Sequence, residues 1–141
     1  MQKNLYKNSY NLLQNDLKNK ILLLDGAMGT MIQQEKLTAS DFGGEKYEGC
    51  NDYLVLQRPD VIKNIHKRYL EAGSDIIETN SFGALEIVLK DYDLEDKVFE
   101  INKRAAELVN EAIAEYRNEH PEVTRNLYVA GALGPSNKSI S

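Results

Sequence analysis

Ala72-Gly73-Ser74-Asp75-Ile76-Ile77-Glu78-Thr79-Asn80 is the stretch whose reading decides the fold. Ahead of it, Pro59 suits the first turn of a helix, and Ile62, Ile65 and Tyr69 recur at helical spacing. Ala72-Gly73 then supplies a stop, so a helix is predicted over 59–72. After one further residue the chain turns β-branched, which predicts a strand over 75–80. A helix delivered this directly into a strand is half of a βαβ unit.

The same grammar extends in both directions. Upstream, Ile21 to Leu24 is a short continuous apolar run ending in Asp25-Gly26-Ala27-Met28-Gly29-Thr30. That is the pattern of a strand buried on both faces that breaks into a tight Gly turn. Downstream, Ser81 can cap a short helix reaching about Lys90, and Asp93 can cap a long one with Glu95 and Asp96 in its first turn. In the long helix Val98, Ile101, Ala105, Leu108, Ala112, Ile113 and Tyr116 keep steps of three and four. His120-Pro121 ends it, and Asn126 to Pro135 reads as a third strand running into a Gly/Pro turn. Between Gln33 and Tyr53 the sequence is polar and aperiodic, as in a functional excursion loop. In the first twenty residues Tyr6, Tyr10, Leu13 and Leu17 suggest a surface helix packed along one side.

Strand, helix, strand, helix, strand implies parallel pairing through right-handed crossovers. The strand starts near 21, 75 and 126 are 54 and 51 residues apart, against about 31 per unit in an eight-unit barrel of ~250 residues. These units therefore carry insertions. A three-stranded parallel sheet leaves an edge open and its last strand uncovered, which is the pattern expected of part of a larger α/β domain.

Composition narrows the partners. Hydrophobic residues make up 42% of 141, as in globular chains. Acidic residues outnumber basic ones 22 to 17, so no positive field draws nucleic acid or anionic lipid. The longest apolar runs, Ile21 to Leu24 and Tyr53 to Leu56, fall far short of the ~20 residues that span a bilayer. Lys3 and Lys7 precede no apolar stretch, and a single Cys forms no internal disulfide, so the expected location is cytoplasmic.

Each predicted strand ends in groups suited to a small ligand: Asp25 with Gly26 and Ala27, Glu78 with Asn80, and Gly131 to Asn137. In parallel α/β folds ligands bind at the C-terminal ends of strands, so the three ends should share one rim. The period of two places Ile76, Glu78 and Asn80 on one face, with Glu78 at the end of a buried face where an unpaired carboxylate is costly. Asp25 and Glu78 could hold an ammonium group while the Gly26-Ala27 N–H groups receive a carboxylate, a pairing that suits a free amino acid. Equally open from spacing alone, Asp25 caps its own turn and Glu78 pairs with a Lys or Arg. Gly26-Ala27-Met28-Gly29 lacks the third Gly of a dinucleotide fingerprint and the Lys-Ser/Thr of a P-loop. Cys50 reads as a free loop thiol, His66 and His120 as surface histidines, and Phe82 and Tyr92 as packing residues. Ser136 has no Gly two residues later and forms no nucleophile elbow.

Leu24-Asp25-Gly26-Ala27-Met28-Gly29-Thr30-Met31, Asn51-Asp52-Tyr53-Leu54-Val55-Leu56 before Arg58-Pro59, Ala72 through Phe82, and Gly131 through Asn137 together resemble the homocysteine-binding domain of cobalamin-dependent methionine synthases. The resemblance runs from about residue 17 to the end. It implies an α/β fold, the N-terminal portion (about three βα units) of a (β/α)₈ TIM-type barrel, incomplete here. Residues 1–20 would be a helical extension and 21–141 a truncated barrel with strands near 21–25, 75–80 and 126–133. It further implies a methyltransferase that carries methyl from methylcobalamin, recharged by methyltetrahydrofolate on another domain, to a homocysteine thiolate activated by zinc. Asp25, Gly26, Ala27, Glu78 and Asn80 would bind the amino-acid moiety. The family's zinc cysteines lie on later strands and Cys50 matches none of them, so no metal ligand and no catalytic residue is expected within this chain. The isolated chain should be inactive, with the remainder of the barrel and the cobalamin and folate domains as its partners. Two alternatives stand beside this one: a fragment of a cobalamin-independent homocysteine methyltransferase, and a non-catalytic amino-acid-binding or interaction half-barrel.

Overall fold

The computed structural model describes residues 2–136, with side chains from Asn8 onward; the expectations for Asn137 and for the Tyr6 side chain lie outside them. Eight regular elements follow in chain order: α1 (Gln2–Asn19), α2 (Met28–Gln34), α3 (Leu54–Gln57), α4 (Pro59–Glu71), β1 (Ile76–Glu78), α5 (Glu86–Leu89), α6 (Val98–Glu119) and β2 (Tyr128–Ala130). Short 3₁₀ turns at Glu45–Tyr47, Asn51–Tyr53, Lys90–Tyr92 and Glu95–Lys97 fill the connections.

The parallel crossover is present in shorter form than expected. β1 pairs with β2 in parallel, Ile76 opposite Tyr128 and Glu78 opposite Ala130. The first strand, expected over 21–25, is reduced to a single parallel bridge between Leu24 and Ile76. Backbone bonds from Asp25 to Ile76 and from Asp75 and Ile76 to Leu23 hold it in place. The ladder is fixed at its N-terminal end by Asp75, whose carboxylate accepts the Leu23 N–H at 3.0 Å and pairs with Arg125 at 3.1 Å. Arg125 in turn donates to the Leu70 and Ser74 carbonyls. The strand between Leu23 and the third segment is thus placed by one partly buried charge pair as much as by pleat.

Helices supply the core. α4 and α6 pack together and bury Ile62, Ile65, Ile101, Ala105 and Leu108 with Leu54 and Val55 of α3 and Leu89 of α5. A second cluster, Leu70, Ile77, Val109, Ala112 and Tyr116, presses the helical pair onto one face of β1. Each fully buried Leu, Ile or Val contributes about 1.5–3 kcal/mol, so this layer is the main source of stability. On its rim Lys63 and Lys67 of α4 reach Glu115 and Glu119 of α6 at 2.6 and 2.7 Å, partly exposed pairs that orient the helices at modest energetic gain.

Several local expectations are corrected. The Gly turn after Asp25 continues at once into α2, whose Ile32 enters the core. The 33–53 excursion contains two 3₁₀ turns and buries Phe42 and Cys50. Ser81 caps nothing, because its hydroxyl bonds Thr79 Oγ1 and the Ala132 carbonyl instead. Asp93 does not cap α6 either: it closes the Lys90–Tyr92 turn in a left-handed conformation (φ 52°), and α6 begins five residues later. α1 shows exposed Tyr10 and Leu17 and is held by polar bonds, Asp16 accepting from Asn126 Nδ2 and Tyr128 OH at 3.0 and 2.8 Å. His66 is fully buried on α4, with neither ring nitrogen hydrogen-bonded, and burial depresses its pKa to about 4. Among the described residues no helix is long and apolar enough to cross a membrane.

Candidate functional site

At the C-terminal end of the sheet the chain leaves a cavity of about 490 Å³. Asp25, Gly26 and Ala27 line it from the first strand's exit, Glu78 and Asn80 from the exit of β1, and Ala132 from the exit of β2. All five residues expected at the site therefore share one rim, as the position of ligands in parallel α/β sheets requires.

The geometry distinguishes them. Asp25 sits half-buried just past the Leu24 bridge, and its Oδ2 accepts the Glu78 N–H at 3.0 Å. Its Oδ1 is buried without a partner. Burial, opposed by that N–H bond and reinforced by the negative charge of Glu78, pushes the Asp25 carboxyl up to about 6. A Cβ at Gly26 would lie 3.2 Å from the Tyr69 hydroxyl, which donates to the Ala27 carbonyl, so a larger residue here would press on that contact. Among the described residues the Gly26 and Ala27 N–H groups take no hydrogen bond and remain available to an acceptor.

Glu78 corrects the expectation of a buried carboxylate: it is exposed, while Ile77 and Thr79 face the core. The reason is topological. The helical layer covers the Ile77 face of β1, so the Glu78 face is the one turned to the cavity. Neither Asp25 nor Glu78 pairs with a Lys or Arg among the described residues, in contrast to Asp75 and Asp16. Asn80 is buried with its Nδ2 donating to the Asn51 carbonyl at 2.8 Å, so its amide ties the rim together while still lining the cavity.

Sequence reading missed Asp52 as a rim residue. It lies in the 3₁₀ turn at Asn51–Tyr53, lines the cavity, and accepts the Gly83 N–H at 2.9 Å. Burial raises its carboxyl pKa. Only a pairing across 31 residues reveals this role, and no local pattern signals it. Phe82, expected in the core, is 63% exposed at the cavity edge. Cys50 is free but buried, its thiol pushed up to about 11 by burial, so it is neither an exposed loop thiol nor a ready thiolate. No set of three His, Cys, Asp or Glu among the described residues converges as metal ligands.

A cavity in which Asp25 and Glu78 face no cation among the described residues and backbone N–H groups are free is suited to a ligand bearing an ammonium beside a carboxylate. The sequence profile described as homocysteine S-methyltransferase matches residues 22–141, from the first strand onward. The chain belongs to the homocysteine S-methyltransferase family. Structures of the homocysteine methyltransferase MmuM from Escherichia coli share its fold. The metallated form is 26% identical with a TM-score of 0.72, and the oxidized form 28% identical with 0.73, each over 88% of this chain. The apo form is 25% identical with a TM-score of 0.66 over 92%. This family member spans 41% of the metallated MmuM chain, so its two paired strands and one bridge represent part of that fold.

Proposed function

We propose that this chain forms the amino-acid-recognition part of a homocysteine S-methyltransferase of the cobalamin-dependent methionine synthase kind. The observation that carries the reading is Asp25: a carboxylate at the strand exit with one oxygen anchored by the Glu78 N–H and the other buried without a partner. Asp25 lines the cavity and pairs with no Lys or Arg among the described residues, so an ammonium bound beside it supplies the missing counter-charge and offsets the desolvation that raises the carboxyl pKa. Glu78 adds a second negative charge from the cavity side, and Asn80 keeps the rim in register. The Gly26 and Ala27 N–H groups point the ligand's carboxylate away from these acids. The thiol then extends across the open cavity.

In the complete enzyme zinc would lower the thiol pKa, methylcobalamin would supply the methyl group, and methyltetrahydrofolate would recharge it. The residues described do not fit a metal: Cys50 is buried and no second Cys exists. This chain's part is therefore binding and orientation, and turnover belongs to its assembly with the remainder of the barrel and the cobalamin and folate domains. Residues 1–20 act as a helical extension and 21–141 as the barrel portion, in the cytoplasm. A cobalamin-independent methyltransferase would share the rim and differ in donor.

Titration with L-homocysteine, with 4-mercaptobutyrate (no ammonium) and with 3-mercaptopropylamine (no carboxylate) tests the reading. Charge-assisted contacts of about 1.5–3 kcal/mol should make each analogue bind roughly tenfold or more weakly than homocysteine. Equal binding of all three would contradict recognition of the amino-acid moiety.

A further inference from the structure

We propose that Phe82 is the specificity-determining wall that reads the substrate's side chain, and that Asp52 is the residue that positions it. The inference rests on the amino-acid reading of the cavity and adds to it which residues select among amino acids.

An aromatic ring left 63% exposed is ordinarily free to move, but the backbone beneath Phe82 is fixed from both sides. Its carbonyl accepts the Gly134 N–H at 2.8 Å, and the next N–H, that of Gly83, donates to Asp52 Oδ1 at 2.9 Å. Both glycines are demanded by this closeness. A Cβ on Gly134 would lie 2.5 Å from the Phe82 carbonyl and 2.7 Å from its ring, and one on Gly83 would lie 2.7 Å from Asp52 Oδ2. The ring is thus displayed at a set place on the cavity edge, beside the acids that would hold the ammonium.

Asp52 comes from a different stretch of chain and carries no ion pair among the described residues. Its Oδ1 accepts the Gly83 N–H, so its structural work falls on the Phe82 loop. A half-buried carboxylate that accepts one backbone bond costs desolvation, and that cost is recovered if the loop it fixes must be rigid for binding. Sulfur-bearing and alkyl side chains gain from an aromatic edge or face, whereas glycine has nothing to place there.

Nuclear magnetic resonance titrations of the intact chain with L-homocysteine and with glycine test the proposal. Phe82→Ala, at an exposed position, should weaken homocysteine roughly three- to tenfold and leave glycine unchanged. Asp52→Ala should show the same selective loss, while Asp52→Asn, whose side-chain carbonyl still accepts the Gly83 N–H, should keep the discrimination. If Asp52→Ala does not fold, the other two variants decide. Homocysteine affinity unchanged in Phe82→Ala would overturn the proposal, as would equal weakening of both ligands in Phe82→Ala or Asp52→Asn. A wild-type chain that binds neither amino acid would overturn the reading of the cavity itself and this proposal with it; a chain that binds both equally would overturn only this one.

Discussion

Along α6 the inward positions are sealed: Ile101, Ala105, Leu108, Val109 and Ala112 are fully buried, each against a partner from α4, β1 or the segments between. At the rim fed by β1 and β2 the opposite holds, with Phe82, Leu133, Asp25 and Glu78 all reaching solvent or the cavity. The two regions meet at β1, whose Ile77 belongs to the first and Glu78 to the second. Alternation along three residues is enough to give a strand one face for stability and one for recognition. Polar groups follow the same division. Among the described residues Asp25 and Glu78 at the rim are left without cations, whereas Glu115 and Glu119 of α6 pair with Lys63 and Lys67 of α4.

Truncation should separate the regions most strongly. Leu108→Ala removes a fully buried side chain from the α4–α6 layer and should cost about 2–5 kcal/mol, whereas Leu133→Ala, 77% exposed, should stay within about 0.5 kcal/mol. Urea denaturation of the two variants beside the wild type checks this. Similar losses in both would mean that the rim is a second core.

Acid should expose a smaller difference. His66 is buried with no partner and its folded pKa, about 4, lies below the unfolded value near 6.5. Its neutral form therefore supports the fold above about 6.5, and that contribution is lost as the pH falls toward 4. Asp25 works the other way: its folded pKa of about 6 exceeds the unfolded one, so its contribution is favourable below about 4 and is lost as the pH rises through 6. His66→Leu should flatten the decline in stability between pH 6.5 and 4, measured by denaturation at several pH values. An unchanged slope would show that His66 protonates without strain.

Legibility in the sequence follows the same border. α6 and α4 were readable because long apolar periods and Pro59 report packing that is local to each helix. β1 was readable from its β-branched run. The first strand shrank to Leu24 because apolar content cannot say how many residues find a partner across the sheet. His66 was hidden by its residue type, although it stands four residues after Ile62 and four before Leu70 on the buried stripe of α4. At the site, Asp25, Gly26, Ala27, Glu78 and Asn80 were placed on a common rim by topology alone. Asp52 and the exposure of Phe82 were not legible, since both depend on contacts between segments some thirty or fifty residues apart.

Asp25→Asn brings stability and recognition into one experiment, in which homocysteine titration and thermal denaturation are performed on the same protein near pH 7.5. The substitution keeps an acceptor for the Glu78 N–H and removes a buried charge that folding disfavours at this pH. The expected result is a melting temperature equal to or above that of the wild type together with homocysteine affinity weakened roughly tenfold or more. A lower melting temperature with unchanged affinity would contradict the account, because Asp25 would then serve the fold and the cavity would owe nothing to its charge.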